Sequence, residues 1–491
     1  MADFDVAVLG SGIAGLTCGA FLAKQGMKVV VLEKHYQIGG YTHSFKRKKF
    51  NFESAVHSVP LGNNGLIMHL LRQLGVDQAV KPLELPSMYH AQWSDYAFTM
   101  PVWYNDIKTK LQSEFPHQKT QISSLLGEMH QIYDAFITPV LQGSLQETDF
   151  YRDYIYRHLN QSYKNYLCSF LSDPNLLRAF YSQWPYGSNP PSKAPVMYYV
   201  LMFIVHALEG SHYLEGGFCT LANALASVIT SQGGEIRTKE EVIGLKNQGQ
   251  TVTELSLNSG EVISANLFVS NISPYILHNQ LLEPQIRNKI WLRRLNNLKP
   301  SFSAVALYLG LNSAVSDLIP DNIHFHFADN DDDRIYDRII SNSSSEIDHL
   351  LFLHPRTPEE HHTLTVLTYI QKSFSSNWKQ DKKFFAEKML DSAEALFPGL
   401  KNRIELIEIG SPSTFQRYTG NTEGALYGFE NTNQIYGEAK IPSTTHLSNL
   451  FQTGHWGKPG GGIWNSMYNG YITFLTIMQK QLVLSSNSDS D

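Results

Sequence analysis

Two short apolar runs, residues 6–9 and 28–32, flank a stretch from 14 to 25 that reads as a helix, and a glycine-rich turn joins the first run to it. The pattern is strand, turn, helix, strand, with Gly26 placed to cap the helix. Similar signals return from Ser211. There Gly216-Gly217 precedes a helix whose Leu221, Leu225, Val228 and Ile229 share one face, and Gly233-Gly234 stops it. Short strands are predicted at 235–237, 242–245 and 251–257. A turn at Asn258-Ser259-Gly260 leads back into 261–264, and 267–269 reads as a further buried strand. A third segment starts near Asn449, where 450–454 reads as a strand feeding Gly460-Gly461-Gly462 and a helix that continues through 471–478.

The stretches between differ in character. Residues 76–207 read as mostly helical, with an aromatic-rich passage at 150–186. Residues 301–311 and 350–370 alternate well enough to form one sheet, and 379–396 reads as a helix. The expected organisation is one discontinuous nucleotide-binding domain built from 1–75, 211–272 and 445–482. A substrate domain is assembled from 76–210 and 273–444, and a flexible polar tail covers 484–491.

The first turn carries the chemistry. It reads Gly10-Ser-Gly12-Ile13-Ala14-Gly15, and Glu33 closes the second strand 23 residues after Gly10. Gly10 allows the tight turn, Gly12 lets the backbone approach a pyrophosphate, and Gly15 lets helix and strand pack closely. The pyrophosphate rests on the helix N-terminus, where unpaired N–H groups favour negative charge. Glu33 accepts the hydroxyls of an adenosine ribose and would repel the 2′-phosphate of NADP.

With 491 residues, 42% of them hydrophobic, the chain has room for a large core and more than one domain. A net charge of −6 without a basic half excludes a nucleic-acid partner. Cys18, Cys168 and Cys219 form neither a disulfide ladder nor a metal motif and fit a reducing, cytoplasmic setting. The first strand starts too early to leave room for a signal peptide, and the longest apolar run, 196–205, is too short to cross a bilayer.

Further blocks extend the picture: Gly39-Gly40-Tyr-Thr42-His43, Phe52-Glu53-Ser-Ala-Val-His57, Tyr213-Leu-Glu-Gly216-Gly217, Gly424-Ala-Leu-Tyr427-Gly428, and Gly454-His-Trp-Gly-Lys-Pro459-Gly-Gly461-Gly462-Ile463. In this order and over nearly the whole chain, they resemble the FAD-dependent family of phytoene desaturases, carotenoid isomerases and retinol saturases, within the flavin amine oxidase superfamily. The resemblance implies an α/β fold: a Rossmann-type, glutathione-reductase-like FAD domain plus a mixed α+β substrate domain. It implies that Gly10, Gly12, Ile13, Ala14, Gly15, Glu33 and Lys34 hold the ADP half of FAD, that Gly39, Gly40 and Thr42 pass close to its middle, where His43 either contacts the cofactor or serves local packing, the commoner reading, and that Val242 meets adenine. Gly454, Pro459, Gly461, Gly462 and Ile463 would face the isoalloxazine, with a helix N-terminus aimed at its N1/O2 edge. One position departs from many relatives: His455 stands where they carry an acidic residue, which puts one cofactor hydrogen bond in question. Trp464 and Asn465 are bulkier than the residues common there.

The implied activity is hydride exchange between FAD and a carbon–carbon double bond of a long apolar molecule, as desaturase, saturase or redox-neutral isomerase. The His43 and His57 blocks lean toward the latter two. Hydride transfer needs mainly apposition, so no acid–base triad is required. His57 and Tyr427 are the catalytic candidates. His57 orients substrate or shuttles a proton, or is a structural histidine; Tyr427 borders the cavity or is a core tyrosine. Tyr198, Tyr199 and Phe203 in 196–205 either line an apolar tunnel or belong to plain core, the commoner reading. Lys46-Arg47-Lys48-Lys49 would attract anionic lipid for a peripheral membrane association, although a solvated hairpin turn is commoner.

No metal is assigned. Asp329, Asp331 and Asp333 mimic the start of a calcium loop, but Arg334 and Ile340 break it and a solvated acidic loop is expected. His324, His326 and the pair His361-His362 lack companions. Two rival functions stand beside the first: an amine or amino-acid oxidase, needing a polar pocket, and a non-catalytic FAD-containing lipid carrier. Substrate identity, electron acceptor and oligomeric state are not encoded in these motifs.

Overall fold

A computed structural model describes residues 2–342, 346–355, 362–432 and 441–488. β1 (Phe4–Leu9), α1 (Ile13–Lys24) and β2 (Val29–Glu33) follow one another as the apolar pattern requires. All of β2, and all of β1 except Asp5, is buried, because both faces of these parallel strands are covered. Val6, Val8, Val29 and Val31 pack on the helix side, while Ala7, Leu9, Val30 and Leu32 join a second cluster behind the sheet. Further along come α2 (Val196–Glu209), β3 (Val262–Ser270) and α3 (Ile463–Ser488).

β1 is central in a seven-stranded sheet, flanked in parallel by β2 and β3. Glu235–Thr238 extends it beyond β2, and Leu450–Gln452 lies parallel to β3. Strands from three distant segments thus deliver their carboxyl ends to one edge, where open α/β sheets bind ligands. The two strands expected at 261–264 and 267–269 are one. The first half of β3 pairs antiparallel with Thr251–Leu257 as far as Ser264, and its second half pairs parallel with β1 from Ala265, opposite Phe4, so one strand serves two ladders without a break.

The second sheet also has seven strands. Ser303–Leu311 sits between Ile404–Gly410 and His362–Ile370, followed by His349–Leu353 and Ile323–Phe327. The single strand region expected at 350–370 is therefore two strands, and 356–361 lies outside the described residues. Two more strands, Tyr89–Gln92 and Ala97–Met100, come from the stretch expected to be mostly helical. Each is four residues long, too short to outweigh the helical signals around it. Alternation along Ser303–Leu311 sends Val305, Leu307 and Leu309 against the helix Trp378–Leu396, and leaves Ala304, Ala306 and Tyr308 for the other face.

Two smaller expectations change, and a third, the basic hairpin, gains partners. Helix α3 runs through Ser488, into the stretch expected to fray, while 489–491 lies outside the described residues. The acidic loop is a helix start: Asp331 caps Asp332–Ser341, and Asp329 pairs with Arg334 and Arg338 at 3.2 and 3.1 Å, so the arginine that spoils the calcium pattern neutralises the cluster. The basic run turns a hairpin between Ser44–Arg47 and Phe50–Glu53, where Arg47 and Lys49 pair with Glu408 and Glu405 of the second sheet at 3.6 and 2.6 Å. His361, considered for metal binding, lies outside the described residues.

Candidate cofactor and substrate cavity

A continuous cavity runs from the carboxyl edge of the first sheet to the inner face of the second. At one end lies the N-terminus of α1. Its cap is Gly12, with no side-chain hydrogen bond and no acidic residue in the first turn, and Gly12, Ile13 and Ala14 line the cavity. The orphan N–H groups of that turn are left for an anion. Gly39 donates its N–H to Ser11 O at 2.9 Å, and a β-carbon on Gly40 would fall 3.2 Å from Gly12 Cα, so the double glycine folds against the first turn. Thr42 and His43 hold this turn by donating to the carbonyls of Gly39 and Gly40, at 2.8 and 2.6 Å.

Glu33 stands at the end of β2. One oxygen accepts the N–H and hydroxyl of Ser11 at 2.9 and 2.7 Å, and the other accepts His35 N–H at 2.8 Å. This fixes the carboxylate facing the cavity, with lone pairs remaining for ribose hydroxyls. Lys34 and Val242 line the same end. Two residues assigned to the cofactor stay off the wall. A β-carbon on Gly15 would meet Gly10 O at 2.6 Å, so its smallness serves helix–strand packing. Pro459 sits in a cis Lys458–Pro459 bond behind the glycines that line the cavity.

Gly454, Gly461, Gly462 and Ile463 border the far part of the cavity, where α3 begins. A β-carbon on Gly461 would lie 2.6 Å from Tyr427 Cα, and one on Gly428 would strike His455 O, so the 424–428 segment is clamped onto this turn. Tyr427 N–H donates to Ser301 Oγ at 2.9 Å and its ring faces the cavity. Burial pushes the His455 imidazole down to about 4, and its Nε2 lies 3.2 Å from Asn421 Oδ1. That oxygen only accepts, so Nε2 carries the proton and Nδ1 remains an acceptor, as a carboxylate would be.

The wall beyond is mostly apolar. Tyr198, Leu201, Met202, Val205 and His206, at helical spacing, present one face of α2 to the cavity. Of the run 196–205 considered for a tunnel, Tyr198, Leu201, Met202 and Val205 lie there, and of its three named aromatic residues only Tyr198 does. Tyr199 turns away to donate to the carbonyls of Trp184 and Asn189, and Phe203 packs on Phe180. Thr363, Thr365 and Leu367 close the opposite side. His57 lines the cavity with Nδ1 3.2 Å from Ala55 O and Nε2 2.6 Å from the Tyr186 hydroxyl. Burial pushes His57 down to about 4, so the ring is neutral. The Tyr186 ring centroid lies 6.2 Å from that of Tyr427, whose hydroxyl is 3.2 Å from that of Tyr369.

Three important residues escaped sequence reasoning. Asn271, just past β3, wedges between Gly12, Gly15 and Gly454; its place at the carboxyl end of a buried strand was the available signal. Tyr186 lies in the aromatic-rich passage with no motif to mark it. Glu209 ends α2 and is 2% exposed, accepting Tyr133 Oη–H at 2.9 Å and Trp464 Nε1–H at 3.2 Å directly behind the cavity wall.

Two helix N-termini opening on one cavity, with a carboxylate at the β2 end, suit a dinucleotide whose pyrophosphate and electron-rich ring edge both seek N–H donors. The family described as flavin containing amine oxidoreductase matches residues 13–458, and the chain belongs to it. It is an FAD-dependent oxidoreductase. The chain is similar to the chloroplastic prolycopene isomerase of Daucus carota, 27% identical over 503 residues, covering 96% of this chain and 79% of that one. It is also similar to the all-trans-retinol 13,14-reductase of Danio rerio, 24% identical with 92% of this chain and 82% of the relative covered. Among solved structures, an oxidoreductase from Methanosarcina mazei superposes with a TM-score of 0.65 at 17% identity, covering 97% of this chain and 100% of its own.

Proposed function

We propose that this protein exchanges hydride between FAD and a carbon–carbon double-bond system in a long apolar substrate of the polyene or isoprenoid type. The observation that carries this reading is the chemistry of the wall. Glu33, Glu240 and Glu241 line the ribose and adenine end, whereas Glu53, the other carboxylate among the described lining residues, already accepts hydrogen bonds from Ser44 and Tyr213 at 3.0 Å each. That carboxylate is engaged by its hydroxyl donors, and the α2 face offers Leu201, Met202 and Val205 to the ligand. Relatives named for prolycopene and all-trans-retinol support the same class of substrate. Such a molecule comes from a lipid phase. Contact with that phase is peripheral in this reading, since no described helix is long and apolar enough to cross a membrane.

FAD would supply the two-electron chemistry, held by the turns at Gly10–Gly15 and Gly454–Ile463. The chain's own residues on the far wall would exclude water and position the apolar substrate beside the bound cofactor. Anaerobic titration of the holoprotein tests this. A polyene or its saturated counterpart is expected to change the oxidation state of the flavin, or to leave with altered double-bond geometry. Flavin reduction by a primary amine, with no response to any polyene, would overturn the reading. A flavin that responds to neither, and to no reductant, would point to a carrier.

A further inference from the structure

The Ala55 carbonyl can only accept a hydrogen bond, so the His57 Nδ1 that faces it at 3.2 Å carries the ring proton. His57 Nε2 is then bare, and the Tyr186 hydroxyl 2.6 Å away must donate to it. The phenol hydrogen is committed to the histidine, while the oxygen keeps lone pairs for the cavity that both residues line. Other hydroxyls and imidazoles on this wall are engaged differently. Tyr427 meets another phenol, Tyr369. Tyr198 donates to the carbonyls of Tyr186 and Gly461 at 3.3 and 3.4 Å, and His206 meets Ser211 Oγ at 2.8 Å. Among the described lining residues, Tyr186 is the phenol backed by a bare imidazole nitrogen, and through Tyr427 it packs beside the Gly461 turn where the flavin ring belongs.

We propose that Tyr186 and His57 form a proton relay: Tyr186 exchanges a proton with the substrate carbon adjacent to the one that exchanges hydride with the flavin, and His57 Nε2 takes up or returns the phenol proton. The inference rests on the reading of the substrate as an alkene or its saturated counterpart. When a double bond forms, two C–H bonds break. One hydrogen leaves with both electrons to the oxidised flavin. The other leaves as a proton to Tyr186 Oη, its electron pair becoming the new π bond, while the phenol O–H proton passes to His57 Nε2. Tyr186 ends as a neutral phenol and His57 as an imidazolium. Saturation would be the reverse, with reduced FAD supplying the hydride and His57 entering as the imidazolium; burial disfavours that form, so the relay favours the direction in which the double bond forms. A weak base suffices, because hydride loss leaves the carbon chain electron-deficient and makes the neighbouring C–H strongly acidic. The burial that keeps His57 neutral also keeps Nε2 available at neutral pH.

The test uses the holoenzyme and the variants Tyr186→Phe and His57→Gln. With flavin content and affinity for an apolar polyene within about threefold of the parent, Tyr186→Phe is expected to slow single-turnover hydride exchange by about 10²-fold. The two substitutions together should cost little more than either alone, as for groups acting as a unit. A second readout does not depend on turnover. Nitrogen-15 NMR of labelled histidines should show His57 as the neutral Nδ1–H tautomer, with its Nε2 signal moving in Tyr186→Phe. Exchange in Tyr186→Phe within about threefold of the parent, or an Nε2–H tautomer for His57, would overturn the relay. Failure of the substrate reading looks different: the parent itself would then respond to no polyene, and the relay would fall with it.

Discussion

Gly12 and Asn271 stand so close that a β-carbon on the glycine would lie 2.5 Å from Asn271 Nδ2. Gly454 is equally near the other end of the same amide, 2.5 Å from Oδ1, and has a φ of +107°. One side chain after β3 therefore spaces the N-terminal and C-terminal cofactor turns. Replacing Gly12 by alanine should push Asn271 out and destabilise the fold by about 1–3 kcal/mol, with loss of bound FAD. In an Asn271→Ala background the stability cost should shrink, giving a coupling of about 0.5–3 kcal/mol in a denaturant double-mutant cycle. Additive costs would mean that the close approach is relieved elsewhere.

Glu209 makes stability depend on pH in an unusual direction. Burial pushes its carboxyl up to about 8 from an ordinary value of 4.5, despite the donors of Tyr133 and Trp464. Between those values the folded protein holds a proton that the unfolded chain has released, so this group's contribution falls as pH rises from about 4.5 to about 8 and is flat outside that window. One proton held by the fold alone changes stability by about 1.4 kcal/mol for every pH unit crossed inside the window. Glu209→Gln has no such proton, so between pH 6.5 and pH 8, above the range where the buried histidines titrate in the unfolded chain, its stability should fall less steeply with pH than the parent's. The difference in slope is the measurement, because it is independent of any constant cost of the amide. Equal slopes would show that Glu209 is ionised in the fold.

The nucleotide half of the protein was legible because its residues have local jobs. A tight turn needs Gly10, close approach needs Gly12, and a strand-terminal carboxylate needs Glu33; such demands write themselves into spacing. The far wall has no such rule. Tyr186 reaches His57 from 129 positions away, and nothing in either neighbourhood announces the pair. Tyr198 and Tyr199 are adjacent in sequence, yet one faces the cavity and the other the core, a choice made by how α2 is rotated against its neighbours. The second sheet was half visible. Ser303–Leu311 is long, whereas Tyr89–Gln92 becomes a strand because the edge at Ile323–Phe327 templates it, and Ala97–Met100 then pairs with Tyr89–Gln92.

His349 should act on stability at acid pH. It is buried on the strand beside Tyr369, and its Nε2 accepts the Tyr369 N–H at 2.8 Å, which only the neutral ring can do. Burial pushes its value down to about 3 from 6.5. The unfolded chain therefore binds the proton first as pH falls, so the His349 contribution is complete above about 6.5 and is lost progressively toward about 3. His57, held down to about 4, and His206, held down to about 3, add losses of the same sign. His349→Gln keeps an acceptor without a titrating group. Its loss of stability between pH 7 and pH 5 should be smaller than the parent's, read by chemical denaturation at each pH. A parent whose stability is level across that range would contradict the neutral burial of these rings.

Met202 provides the sharpest check on the apolar wall. It lies on the α2 face beside Leu201 and Val205 and lines the cavity. Met202→Gln keeps nearly the same length and volume while placing an amide against an apolar ligand. An amide buried without partners costs about 1–3 kcal/mol, so affinity for a polyene or retinoid should weaken by roughly 5-fold to 150-fold. FAD content should be unchanged, because Met202 belongs to α2 and to neither glycine turn nor the Glu33 strand. The measurement is a fluorescence or spectral titration of the holoprotein with the apolar ligand, accompanied by released-flavin quantification. Unchanged affinity at full flavin occupancy would mean that the apolar chain lies along another wall, leaving the α2 face as core packing.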